Sequence, residues 1–233
     1  MGAFHKLIAS VKSALERTPP SPPRAAIHHN GTAPLPIAPV MRRTELGAQF
    51  AREFAEVGGH FLGACTPAEA ATRAVALAKE LNTRRAAIGA GVALDEGPLA
   101  RALEHAGLDV TNYRFAGANA VHGLADYIAQ CELGIIEAHF AIASTGTFVV
   151  VGERERPLGL SLLPPVNLIL AHADRVVPDL ASAIAALGKK LVVDHRVALI
   201  SGPSRTADIE KMIVIGVHGP KQIYAMIVWP EPG

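Results

Sequence analysis

Apolar residues recur at Phe4, Leu7, Ile8, Val11, Ala14 and Leu15, with Lys and Glu between them. That spacing predicts a short amphipathic helix over residues 4–17. Seven prolines follow between Thr18 and Pro39, together with the pair His28/His29. Such a stretch can neither continue a helix nor pack, so residues 1–40 are read as a helix and Pro-rich arm, and 41–233 as an α/β domain. A second helix is expected from about Arg42 to Val57, broken by Gly58-Gly59, with HFLGA as a short strand after it. Thr66-Pro67-Ala68-Glu69 has the form of a capping box with proline at the first helical position, opening an Ala-rich helix to about Leu81.

Beyond that helix, the pattern alternates. Strand AAIGA at 86–90, a helix over about 98–105 and strand LDVTN are expected, then a helix near 120–130. From Leu133 the chain is almost continuously apolar, GIIEAHFAIASTGTFVVV, interrupted only by Glu137 and His139 among ionizable groups. VNLILA, LVVDHRVALI and IYAMIVW read as further strands, with a helix over about 178–187 between the first two. Short apolar strands alternating with helices predict an α/β fold: an open, mainly parallel twisted sheet with helices on both faces.

Composition narrows the function classes. Lys and Arg number 22 against 21 Asp and Glu, so nothing in the overall charge favours nucleic acid or an acidic membrane surface. Cys65 and Cys131 stand far apart, which supplies neither a disulfide framework nor four thiolates for zinc or an iron–sulfur cluster. His28, His29 and His195 lack companions at metal-ligand spacing, and no metal site is expected. No signal-peptide core, myristoylation pattern or membrane-length apolar run is visible, so a cytoplasmic location is expected.

Four segments can carry chemistry. Thr145-Gly146-Thr147 is a hydroxyl-rich turn whose glycine permits close backbone approach to a ligand; an ordinary strand-entry turn has the same form. Gly202-Pro203-Ser204-Arg205-Thr206 follows the strand VALI, where ligands collect at the carboxyl edge of open α/β sheets. There Arg205 can pair with an anion, Ser204 and Thr206 can donate hydroxyls, and Asp208 can hold Arg205, or these residues simply cap a helix beginning ADIEK. Glu137 interrupts an apolar run, as a carboxylate suited to proton transfer or attack or as a strand end facing water. His218, in the turn GVHGP, can donate to the same anion or act as an acid or base, or satisfy turn backbone groups. The loop Glu153 to Arg156 reads as a solvated face, and Ser161-Leu162-Leu163-Pro164-Pro165 as a rigid entry into VNLILA.

EAHFAIASTGTFVV (137–150), SLLPPVNLIL (161–170), and GPSRTADIE with GVHGP stand in an order and spacing that resembles the LUD-domain family of the lactate-utilization C type. The resemblance runs from about Thr66 to Val228. It implies a fold similar to the ribose-5-phosphate isomerase and CoA-transferase group, and a part in oxidizing L-lactate to pyruvate alongside iron–sulfur partner subunits. The chain itself would bind no cofactor. Carried over by position, the family's motif residues fall on Thr145, Gly146, Thr147, Ser161, Pro164, Gly202, Pro203, Ser204, Arg205, Thr206, Asp208, His218 and Gly219. Glu137 stands where the family commonly has a small or hydroxyl residue, whereas in the CoA-transferase relatives a glutamate is the nucleophile. The resulting expectation is a cluster-free component that binds a small anion at a strand end. The alternatives are a stand-alone CoA-transferase-like or sugar-phosphate-isomerase-like enzyme, or a scaffold for the iron–sulfur subunits.

Overall fold

The computed structural model describes residues 43–89, 96–112, 126–152, 158–188, 196–207, 213–216 and 218–229. The N-terminal helix and arm, most of the helix expected near 120–130, the 153–156 loop, His195 and Asp208 lie outside these residues. Helix α1 (Arg43–Glu56), expected over about Arg42 to Val57, buries Leu46, Phe50 and Phe54, one residue per turn, along one stripe. It ends at Gly58, whose φ of 86° suits glycine. Gly58 N–H donates to the Ala55 carbonyl and Gly59 N–H to that of Phe54, closing the helix with a Schellman motif.

Strand β1 (His60–Cys65) leads into α2 (Pro67–Glu80), whose buried Ala70, Ala74 and Ala78 let its backbone approach the sheet. Then come β2 (Arg85–Ile88), α3 (Glu96–His105), β3 (Asp109–Asn112) and β4 (Leu133–Glu137). The long apolar run divides here into three strands. After β4, the chain leaves for β5 (Phe140–Ile142) and β6 (Thr147–Gly152), and returns as β7 (Val166–His172). β8 (Val176–Val177), α4 (Leu180–Leu187), β9 (Arg196–Ile200), β10 (Arg205–Ala207), β11 (Ile213–Ile215) and β12 (Gln222–Val228) complete the order.

Six strands in the order β1-β12-β7-β4-β2-β3 form a wholly parallel sheet. Alternation along β7 sends Leu168 and Leu170 to one face and Ile169 and Ala171 to the other. The first face packs on α2 and α3 through Ala74, Leu77, Leu99 and Leu103. The second packs on α1 and on Phe148 of a second sheet, β8-β5-β6-β9. The sequence does not predict this second sheet. β5, β6 and β9 pair antiparallel within it, and its far side is closed by Ala183 and Leu187 of α4. Strands covered on both faces are uniformly apolar whichever sheet holds them, which is why the pattern did not separate the two.

Among the described residues, no helix is long and apolar enough to cross a membrane.

Candidate functional site

Two of the motif segments converge on the last turn of α1. Gly146, at φ 57°, approaches so closely that a Cβ there would lie 2.3 Å from the Phe54 amide nitrogen. Gly202, at φ 88°, would place a Cβ 2.3 Å from the Val57 carbonyl oxygen. Arg205 donates from Nη2 to that same oxygen at 2.8 Å, and Gly58 leaves room for it. Buried Thr147 bridges the segments: its hydroxyl accepts from Thr145 Oγ1 at 2.8 Å and lies 2.7 Å from Ser201 Oγ.

The structure also joins GPSRT to GVHGP. Strands β10 and β11 pair antiparallel, with Arg205 opposite Ile215 and Thr206 opposite Val214. Ser204 N–H donates to the Pro220 carbonyl and Gly216 N–H to that of Ser204, each at 2.9 Å. A Cβ on Gly219 would come within 3.2 Å of Ser204 Oγ, so glycine lets the two turns touch. Lys221 N–H then donates to Pro165 at 2.7 Å, which ties this cluster to the SLLPP loop. Pro203 lies beside Gly58, and His218 and Arg205 are exposed.

Two expectations change here. Arg205 to Ala207 is a strand, because β-branched Ile213, Val214 and Ile215 offer it an antiparallel partner. Ser204 and Thr206 therefore do not begin a helix. The strand VALI lies in β9, which pairs antiparallel with β6 in the second sheet, so the carboxyl-edge rule for parallel sheets does not reach GPSRT. GVHGP and SLLPP instead precede β12 and β7, at the amino edge of the six-stranded sheet.

Ser161 is buried; its hydroxyl donates to the Leu158 carbonyl and its own carbonyl accepts from Asn167 Nδ2, both at 2.7 Å. Asn167 is fully buried, and its Oδ1 rests where a side chain on Gly134 would have to be. This pair shapes the loop that leads into β7.

Glu137 is not brought to the cluster. It ends β4 in register with Leu170, which is in turn opposite Met226, four residues along β12 from Gln222. That is roughly 13 Å farther up the strands than the start of β12. At this opposite edge the structure assembles a group that the sequence analysis missed. His172 ends β7, and its Nδ1 accepts from Asp174 N–H at 3.2 Å. The Asp174 carboxylate pairs with Arg43 of α1. The segment HADR directly after an apolar strand was the available signal, but nothing in it points to Arg43.

The cluster's electrostatics are mixed. The C-terminal end of α1 is the negative end of its dipole, and Arg205 spends one N–H on it. Its other donors and the exposed Lys221 nearby along the chain leave positive charge on the amino edge, with the exposed His218 imidazole beside them. Both cysteines are buried. Burial raises the Cys65 thiol and pushes Cys131 from an ordinary 9.0 up to about 11. Among the described residues no group of three or more His, Cys, Asp or Glu is placed to hold a metal ion.

A six-stranded parallel sheet with a second sheet stacked on it, and these motifs at its amino edge, defines an α/β protein of one recognisable kind. The chain belongs to the LUD domain family, whose pattern matches residues 47–228. It is similar to the protein YkgG of Escherichia coli (strain K12), 32% identical over 165 residues, which span 69% of this chain and 70% of that one. It is also similar to "Lactate utilization protein C" of Bacillus pumilus (strain SAFR-032), 28% identical over 136 residues covering 56% of this chain and 55% of the relative. The match thus spans little more than half the length of that relative. A solved structure, that of a DUF162 family protein from Deinococcus radiodurans, superposes with a TM-score of 0.57 at 19% identity, covering 81% of this chain and 99% of the other. That likeness establishes the fold.

Proposed function

We propose that this chain is the cluster-free component of an L-lactate utilization system, binding a small anion at the amino-edge cluster of Ser204, Arg205 and His218. The system reading is supported by relatives that bear the name lactate utilization protein C. The observation that carries the binding reading is the hairpin β10–β11, which holds GPSRT against GVHGP with Ser204 in contact with Gly219. A planar guanidinium with donors to spare suits a carboxylate, and the adjacent hydroxyl and imidazole supply further donors. In this reading the chain orients the anion, and electrons leave lactate for iron–sulfur clusters on the partner subunits.

Lactate-dependent dye reduction, reconstituted from the partner subunits with and without this chain, tests the reading. Activity should require the chain and fall about tenfold with Arg205→Ala, the loss expected for one charged hydrogen bond. Arg205→Lys separates the roles, since a lysine can still cap α1 but cannot offer the paired donors. Full activity without the chain would end the proposal. Full activity with Arg205→Ala would end the binding site alone.

A further inference from the structure

The second sheet has one strand whose outer side chains are not covered by the rest of the fold. Its order is β8-β5-β6-β9, so β9 is terminal, and among the described residues no strand pairs with its far edge. Cross-strand partners share a face. Leu199 is opposite Val149 and Val197 opposite Val151, so both project to the side on which Val149 and Val151 pack with Ala183 and Leu187 of α4. Helix α4 lies over β5 and β8, toward the other edge of the sheet. Val149 and Val151 are therefore buried, while Val197 is 36% and Leu199 52% exposed.

This side of the sheet is apolar and poor in charge. Leu180 and Ile184, one turn apart on the helix that covers it, are also exposed, and LASAIAAL contains no charged residue. Arg175, over the Phe140 ring, and Asp179, which caps α4, flank β8 at the opposite edge. A terminal strand with bare leucine and valine is a template for pairing with another chain. A partner recognised by charge would find little along Val197 and Leu199 to pair with.

The sequence of β9 fits a second copy of itself. Set antiparallel about Ala198, RVALI places Val197 opposite Leu199 of the second copy, and Leu199 opposite Val197 of the second copy. The same register puts Arg196 opposite Ile200 of the second copy, so the two cationic side chains stand at opposite ends of the pair. A twofold contact requires a patch complementary to itself, and this alternating apolar strand meets that condition. We infer that the chain associates with a second copy edge to edge through β9, joining the two outer sheets into one continuous sheet. Each copy then covers the Val197 and Leu199 side chains of the other.

Sedimentation equilibrium of the full chain over about 1 to 100 µM should show a dimer that dissociates on dilution. Leu199→Lys should raise the dissociation constant about tenfold or more, because it sets a charge into the shared apolar stripe. Leu162→Lys, at a comparably exposed leucine of the SLLPP loop, should leave the dimer intact. A monomer at every concentration overturns the inference, as does a dimer indifferent to Leu199→Lys or one lost on Leu162→Lys. Should Leu199→Lys lower the melting temperature, Ala198→Cys decides instead. Mild oxidation should then join two chains by a disulfide at that position, since residues opposite each other across the pair are within reach. Cys65 and Cys131 are buried, so the unaltered chain should give no such product, and failure of Ala198→Cys to crosslink overturns the pairing.

Discussion

Gly146, Gly202 and Arg205 all act on one helix end, and each does so through something only its side chain, or lack of one, allows. The glycines let backbone meet backbone at distances no Cβ would permit, and the guanidinium reaches a carbonyl that the helix leaves unpaired. The motif read from sequence as a ligand loop is therefore first a clamp on α1. Its donors were legible as residues, but the Val57 carbonyl they serve was not, because it lies 148 positions from Arg205 along the chain. Cysteine chemistry at the same scale is governed by burial. Cys131, raised to about 11, stays a thiol at neutral pH, and a thiol is a poor nucleophile. Iodoacetamide should label native Cys131 slowly at pH 8 and faster only as pH approaches 11. Because the folded state holds this proton more tightly than the unfolded chain, its contribution to stability persists below about pH 9, the ordinary value, and is lost as pH rises through about 11. Chemical denaturation at pH 8 and pH 10.5 should show the lower midpoint at the higher pH.

Among the elements, α2 is the one its own residues specify most fully. Thr66 Oγ1 accepts from Glu69 N–H, and Glu69 Oε2 accepts from Thr66 N–H at 2.8 Å, the reciprocal pair that the four-residue motif predicts. Capping is local, so four adjacent residues suffice to specify it. Thr66→Ala should cost about 1 kcal/mol, read from the shift in a urea midpoint at constant slope. The bond from Thr66 N–H holds the Glu69 carboxyl below its ordinary range, so this contribution is present above about pH 4.5 and fades as acid protonates the group. β10 shows the opposite case. Thr206 and Asp208 suit a helix start as well as a strand, and the pairing with β11 that decides for the strand involves residues several positions away.

For the molecule as a whole, the rings of Phe50, Phe54 and Phe148 tie the layers together. Phe148 of the second sheet meets Phe50 at 4.8 Å and Phe54 at 5.5 Å between centroids, and α1 carries that contact onto the parallel sheet. Phe148→Ala should therefore cost about 3–5 kcal/mol, since the rings around it cannot collapse into the space. Because both sheets share this core, the variant should unfold in one transition at lower temperature. Two separated transitions in calorimetry would mean that the sheets fold independently.

The local features of this protein follow from sequence alone: the α1 stripe, the α2 cap, the apolar strands and the motif residues that mark a LUD domain. Each depends on neighbours within a few residues, where periodicity and turn chemistry act. The division of one apolar run between two sheets, the gathering of GPSRT, GVHGP and SLLPP on the amino edge, and the separation of Glu137 from them were decided by tertiary structure. The physical reason is that buried strands look alike in sequence, while their edge and their neighbours are chosen by packing between segments far apart in the chain.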